Sequence, residues 1–196
     1  MSTLKKNITA QRIRLLAANG EMIFHTGDLA NLWEIGNANT LRTTLARYVC
    51  EGLIHRIYRG MYSLVPVHRL DPYLLGAKAL HQYCYLSTET VLFEEGVINQ
   101  APQYMTFIAS DSRRFAIAGH QYFCRQMNPR YLYQVEEIRF EKGYFRASVE
   151  RAIADQLYYN PRAHFDRSPD WSRIRMLQET LRYPLTPSRY ADSPTP

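Results

Sequence analysis

Cysteine is scarce in this 196-residue chain. Only Cys50, Cys84 and Cys124 occur, and no two of them stand in a C-x-x-C spacing. An odd, sparse set supports neither a disulfide framework nor a thiolate zinc site, and it fits a reducing cytoplasm. The six histidines, at positions 25, 55, 68, 81, 120 and 164, form no H-x-x-x-H pair, so no metal is expected. There is no phosphate-binding G-x-x-x-x-G-K-[ST] and no G-x-G-x-x-G, so no nucleotide cofactor is expected. Runs of about 18 apolar residues are missing too, which excludes a helical membrane span. The opening "MSTLKKNITAQRIRLL" lacks the apolar centre of a signal peptide. No catalytic set can be assigned. The carboxylates of Glu150 and Asp155 are five residues apart, which does not face them at one another on a helix. Arg151 stands between them, so an interdomain ion pair or a helix cap is the expected use. The chain reads as a cytoplasmic protein that is not an enzyme.

What is present is an uneven charge. The formal net charge is +6. Residues 1–66 hold eight Lys/Arg against four acids, a surplus of four, while residues 67–196 hold sixteen against fourteen. A basic first third favours a polyanionic partner there. Helical periodicity predicts a helix over 7–18, ended by Asn19-Gly20. A second follows with Thr26 as its N-cap, and a third spans 39–51 with Gly52 as its stop. "GLIHRIYRGMYSLVP" (52–66) then reads as two strands about an Arg59-Gly60 turn. Three helices followed by a hairpin is the order of a winged helix-turn-helix.

The third helix separates into two faces at 3.6 residues per turn. Leu41, Leu45, Tyr48 and Val49 point inward. Asn39, Thr43, Ala46, Arg47 and Cys50 point outward, with Thr40 and Arg42 beside them. No carboxylate joins that face before Glu51. Short hydrogen-bonding side chains with arginine are what a helix entering the major groove of DNA needs. In the hairpin, alternation puts Arg56 and Tyr58 on one side and Ile57 on the other, where it can pin the wing to the helices. The expected DNA-binding residues are therefore Asn39, Thr40, Arg42, Thr43, Arg47, Arg56, Tyr58 and Arg59. The ordinary alternatives are a solvated helix face and a charge-guarded edge hairpin.

After Pro66 the composition changes. The pattern predicts helices over 72–83 and 87–96, the latter with Ser87 and Thr88 in its cap. Aromatic-rich strands follow over 103–110, 114–119, 121–127 and 136–148, then a helix over 148–160. "DSRRF" (111–115) reads as an exposed hairpin turn, with Arg113 and Arg114 as candidate partner contacts. The fold class is α+β: a winged helix-turn-helix over 1–68, a mixed α/β domain over 69–186 and a flexible Pro/Ser-rich tail over 187–196.

"YLSTETVLFEEGVINQAPQYMTFIASDSRRF", then "YFCRQMNPRYL" and "RASVERAIADQLYY", resembles the AbiEi family of antitoxins. The residues that carry the resemblance are Leu86, Ser87, Glu89, Gly96, Thr106, Arg113, Arg114, Phe115, Ser148, Glu150, Arg151, Ala152, Asp155, Leu157 and Tyr158. Val91 departs from the family's usual Ala. The resemblance covers roughly residues 10–160. It implies an antitoxin of a type IV toxin–antitoxin, or phage-exclusion, system. Such a protein would bind operator double-stranded DNA as a dimer or cooperatively and repress its own operon. It would also oppose a nucleotidyltransferase-like toxin, with no stable complex required. Three alternatives stay open: a stand-alone winged-helix regulator, a nucleic-acid-binding adaptor without antitoxin activity, and an enzyme resting only on the 15 Tyr and 8 Phe, which core packing explains as well.

Overall fold

The computed structural model describes residues 3–185, so the tail at 187–196 lies outside the described residues. The architecture is α+β, in two compact units, Met1–Leu75 and Gly76–Pro196. The sequence put the boundary at 68/69; the chain divides a few residues later, inside a helix.

The first unit runs α1 (Thr3–Ala18), β1 (Ile23–His25), α2 (Thr26–Leu32), α3 (Ala38–Cys50), β2 (His55–Tyr58) and β3 (Met61–Ser63), then a 3-10 turn at Val67–Arg69. The strands form an antiparallel sheet in the order β1-β3-β2. The core gathers Leu16, Phe24, Leu29, Trp33, Ile35, Leu41, Leu45, Tyr48 and Ile54. Trp33 and Tyr48 meet edge to face at 5.5 Å. The Trp33 indole donates to the Arg12 carbonyl at 3.3 Å and the Tyr48 hydroxyl to Thr9 Oγ1 at 3.3 Å. Each buried ring thus keeps its polar end paired.

Two local readings change. β1 is only three residues long, too short for an alternation to register, and exists because β3 pairs with it. His25, not Thr26, is the N-cap of α2, and its backbone N–H donates to Asp28 Oδ2 at 2.8 Å. Thr26 instead donates to the Gly60 carbonyl, from its N–H at 2.9 Å and its hydroxyl at 3.1 Å. That ties the hairpin turn to the start of α2. Gly60 has φ +86°, a conformation L side chains rarely adopt.

The second unit contains α4 (Pro72–Leu80), whose first turn belongs to the first unit. Then come β4 (Cys84–Leu86), α5 (Glu89–Glu94), β5 (Met105–Ala109), β6 (Arg113–Ile117), β7 (His120–Gln126) and α6 (Pro129–Leu132). β8 (Ile138–Glu141), β9 (Tyr144–Ala147), α7 (Val149–Tyr159) and α8 (Trp171–Thr180) complete it. A six-stranded sheet has the order β6-β7-β5-β4-β9-β8. β5 pairs with β7, and β4 with β9, in parallel; the other neighbours are antiparallel. α4 lies close to the sheet at Gly76, where a Cβ would stand 2.5 Å from a Tyr122 ring carbon and 2.9 Å from Phe107.

The sequence ran the 72–83 helix too far. It ends at Leu80, His81 turns at φ +53°, and Cys84 to Leu86 enter the sheet. The stretch 136–148 is a hairpin, not one strand, because Lys142 and Gly143 both have positive φ. Thr88 stands before α5 with φ 52° and ψ −136° and makes no side-chain cap bond, while Ser87 Oγ turns to Asp155. In place of the interdomain ion pair or cap expected of Glu150 and Arg151, each makes an ion pair within the second unit. Glu150 meets Arg173 of α8 at 3.1 Å, and Arg151 meets Asp155 at 3.0 Å with both side chains fully buried.

The Arg151 guanidinium is bonded at all three of its nitrogens. Nε donates to Asp155 Oδ1, Nη1 to the carbonyls of Gln134 and Glu136, and Nη2 to the hydroxyls of Tyr85 and Tyr183. Asp155 accepts also from Ser87 at 2.7 Å and Tyr183 at 2.8 Å. Burial opposes the charge on Arg151, but Asp155 together with the Tyr85 and Tyr183 hydroxyls more than offsets it, and the guanidinium is held above its ordinary pKa. Burial and the same carboxylate keep the Tyr183 phenol protonated. A buried ion pair lasts only when its remaining hydrogen-bonding groups are met, as they are here.

Candidate nucleic-acid interface

α3 is set at both ends. Asn37 is its N-cap, and Oδ1 accepts from the N–H groups of Asn39 at 2.9 Å and Thr40 at 3.0 Å. At the other end the Leu53 N–H reaches the Tyr48 carbonyl at 2.9 Å and the Gly52 N–H reaches Val49 at 3.1 Å, with Gly52 at φ +68°. That is a Schellman closure, and it needs the glycine. The helix expected over 39–51 thus starts one residue earlier, and the signal for it is an Asn just ahead of an apolar periodicity.

Leu41, Thr44, Leu45 and Tyr48 are buried, while Asn39, Thr40, Arg42, Thr43, Ala46 and Cys50 are exposed. The exposed residues are partly ordered among themselves. Arg42 Nη2 donates to Asn39 Oδ1 at 2.9 Å, and the Thr43 hydroxyl donates to the Asn39 carbonyl at 2.9 Å. Asn39, Arg42 and Thr43 are thus one hydrogen-bonded group on the first two turns. Its free valences are predominantly N–H donors, the type that meets guanine O6 and N7 or a phosphate.

Arg47 is not in that group. It is half-buried, with its guanidinium 5.1 Å over the Tyr48 ring and Nε 3.8 Å from Glu51 Oε1. Nε itself is buried without a hydrogen-bond partner. In this conformation Arg47 packs toward the helix C-terminus.

In the hairpin, Arg56, Tyr58 and Arg59 are exposed. Arg56 Nε is 3.5 Å from the Tyr58 carbonyl, a long contact. A bulge falls between Arg56 and Tyr58: Arg56 pairs with Tyr62 and Tyr58 with Met61, so Ile57 has no opposite residue. Ile57 is only half-buried; fully buried Met61 and Ile54 anchor the hairpin instead.

Arg113 and Arg114 do not lie in a turn. They open β6, and alternation sends them to opposite faces of the sheet. Arg113 Nη2 donates to the Leu80 carbonyl at 2.8 Å, whereas Arg114 lies 4.7 Å over Phe123 and 5.3 Å over Tyr104. One surface cannot engage both alike. Among the described residues no group of three or more His, Cys, Asp or Glu could hold a metal ion, and no helix is long and apolar enough to cross a membrane.

No family model matches the chain, and no curated protein matches it in sequence. Among solved structures it is similar to the crystal structure of the RV2827C protein from Mycobacterium tuberculosis. The identity is 13%, over 89% of this chain and 67% of that one, with a TM-score of 0.48.

Proposed function

We propose that the first unit is a winged helix-turn-helix, with α3 as the recognition helix and the β2–β3 hairpin as the wing, and that the chain is a cytoplasmic DNA-binding regulator. The observation that carries this is the exposed face of α3. From Asn39 to Ala46 it offers amide, hydroxyl and guanidinium groups and no carboxylate. Ordinary exposed helices mix acids with bases; a helix meant for a polyanion excludes the acids. The resemblance in 86–158 extends the reading. It makes the chain an autorepressor and antitoxin of a type IV toxin–antitoxin operon, opposing a nucleotidyltransferase-like toxin and acting without a catalytic step of its own.

Anisotropy with labelled duplexes tests the first part. The DNA upstream of its own gene should bind more tightly than random DNA, with affinity falling linearly in log salt. Absence of binding to any duplex at low salt removes the reading. Growth rescue of cells expressing the neighbouring toxin, alongside a promoter reporter, tests the second part. Repression without rescue leaves a stand-alone regulator.

A further inference from the structure

We propose that the second unit binds a small anion that carries a flat ring and an N–H donor, in a cleft of about 340 Å³ on one face of the sheet, next to Arg114. This inference does not rest on the DNA reading. The register lines up Arg114 of β6, Phe123 of β7 and Thr106 of β5 on neighbouring strands, so all three share a face and floor the cleft. Arg125, two residues beyond Phe123, points to the same face. Tyr104 from the preceding loop makes one wall, and Glu89, the first residue of α5, makes another. The volume is at the small end of the range for single-ligand pockets, about 300–1,000 Å³.

The charges are unequally matched. Arg125 Nη2 is paired with Glu89 Oε1, so those two cancel. The Arg114 side chain has no hydrogen bond or ion pair among the described residues and rests only on the Phe123 and Tyr104 rings. The cleft therefore carries one uncompensated positive charge. It is a planar guanidinium stacked on an aromatic ring, with its forked donors free. Such a group takes carboxylate or phosphate through paired N–H donors, and its face accepts a further flat ring.

The ion pair behind it is incomplete in both senses. Arg125 Nε and Glu89 Oε2 are both buried without a hydrogen-bond partner. Nε is a donor without an acceptor and Oε2 an acceptor without a donor, and the pair meets only through Nη2 and Oε1. Leaving a buried polar atom without its hydrogen bond is costly, so a ligand that supplies one gains from it. Both atoms are closed to solvent, so a ligand N–H meets Glu89 Oε2 only when the carboxylate rotates toward the cleft. A ligand with an anionic group for the arginines and an N–H for Glu89 meets the set; a plain anion meets only half of it. Nucleoside monophosphates and aromatic amino acids both have this chemistry.

The test uses the full chain in isothermal titration, with the four common nucleoside monophosphates in one arm and tryptophan, tyrosine and phenylalanine in the other. Benzoate serves as a flat anion without an N–H. Saturable binding in either arm, tighter than benzoate, is expected and names the source. Arg114→Ala should weaken it about tenfold or more while shifting the melting temperature of the free protein only slightly, since in the free protein its side chain contacts only the Phe123 and Tyr104 rings. Glu89→Gln should narrow the preference over benzoate. Failure of both arms to saturate wild-type protein at millimolar concentration overturns the proposal, as does binding indifferent to Arg114→Ala. An Arg114→Ala variant that loses duplex DNA affinity, with no small-molecule binding in wild type, assigns Arg114 to phosphate and also overturns it.

Discussion

Asp155 shows how much one side chain can hold. It faces Arg151 four residues earlier on α7 and also accepts from Ser87, which belongs to a distant stretch of chain. Asp155→Ala leaves a guanidinium buried without its counter-ion, which should cost on the order of 3–5 kcal/mol in a denaturant titration. Adding Arg151→Met to that variant should restore part of the loss, because the stranded charge goes with it. Simple additivity of the two single changes would show that the pair is not coupled. The cysteines give a second residue-scale expectation. Burial pushes both the Cys84 and Cys124 thiols up to about 12, Cys124 with the help of Asp111. Thiolate is the reactive form, so near neutral pH both should resist alkylation. Cys50 is exposed on α3. Mass spectrometry after iodoacetamide should therefore find one label on folded protein and three in denaturant. Labelling of Cys84 in the folded chain would contradict its burial.

At the scale of elements, α3 and the hairpin should fail differently. Asn39 and Arg42 form one bonded group on the helix, so Arg42→Ala should cost about 1–3 kcal/mol on the preferred DNA and relax preference at one or two base pairs. Arg56→Ala with Arg59→Ala should weaken all duplexes alike and lower the salt slope by roughly one for each phosphate no longer neutralised. An unchanged slope would remove the hairpin from the interface. How far such elements were legible followed from how local their causes are. α3 could be read because its periodicity and its glycine stop sit within a short stretch of chain. The exposed hairpin residues could be read by alternation, but the bulge that leaves Ile57 unpaired could not. α8 was missed although Asp170 caps it, with Oδ1 accepting from the Arg173 N–H, and Ile174, Leu177 and Gln178 give it a buried side. The cleft beside Arg114 was invisible, since it needs three strands in register. So was the Arg151–Asp155 pair, whose meaning depends on burial.

Over the whole molecule, the parallel pairing of β4 with β9 has a consequence in time. It joins residues 85–86 to 145–146 at the middle of the sheet. The first unit closes its sheet over shorter separations, from the tight β2–β3 hairpin to the Ile23–Ser63 pairing of β1 with β3, and pairings of low sequence separation form faster. During synthesis at about 5–20 residues per second, the first unit can fold while β4 still waits several seconds for its neighbour. In that interval Tyr85 and Leu86, both wholly buried at the end, lack one flanking strand. The two tryptophans report on this separately, because Trp33 lies in the first unit and Trp171 in the second. In stopped-flow refolding, a Trp171→Phe variant should show only a fast fluorescence phase and a Trp33→Phe variant a slower one. Equal rates from the two would mean that the units fold as one. The slower unit is the one a chaperone would meet, exposed at a sheet edge that the finished protein conceals.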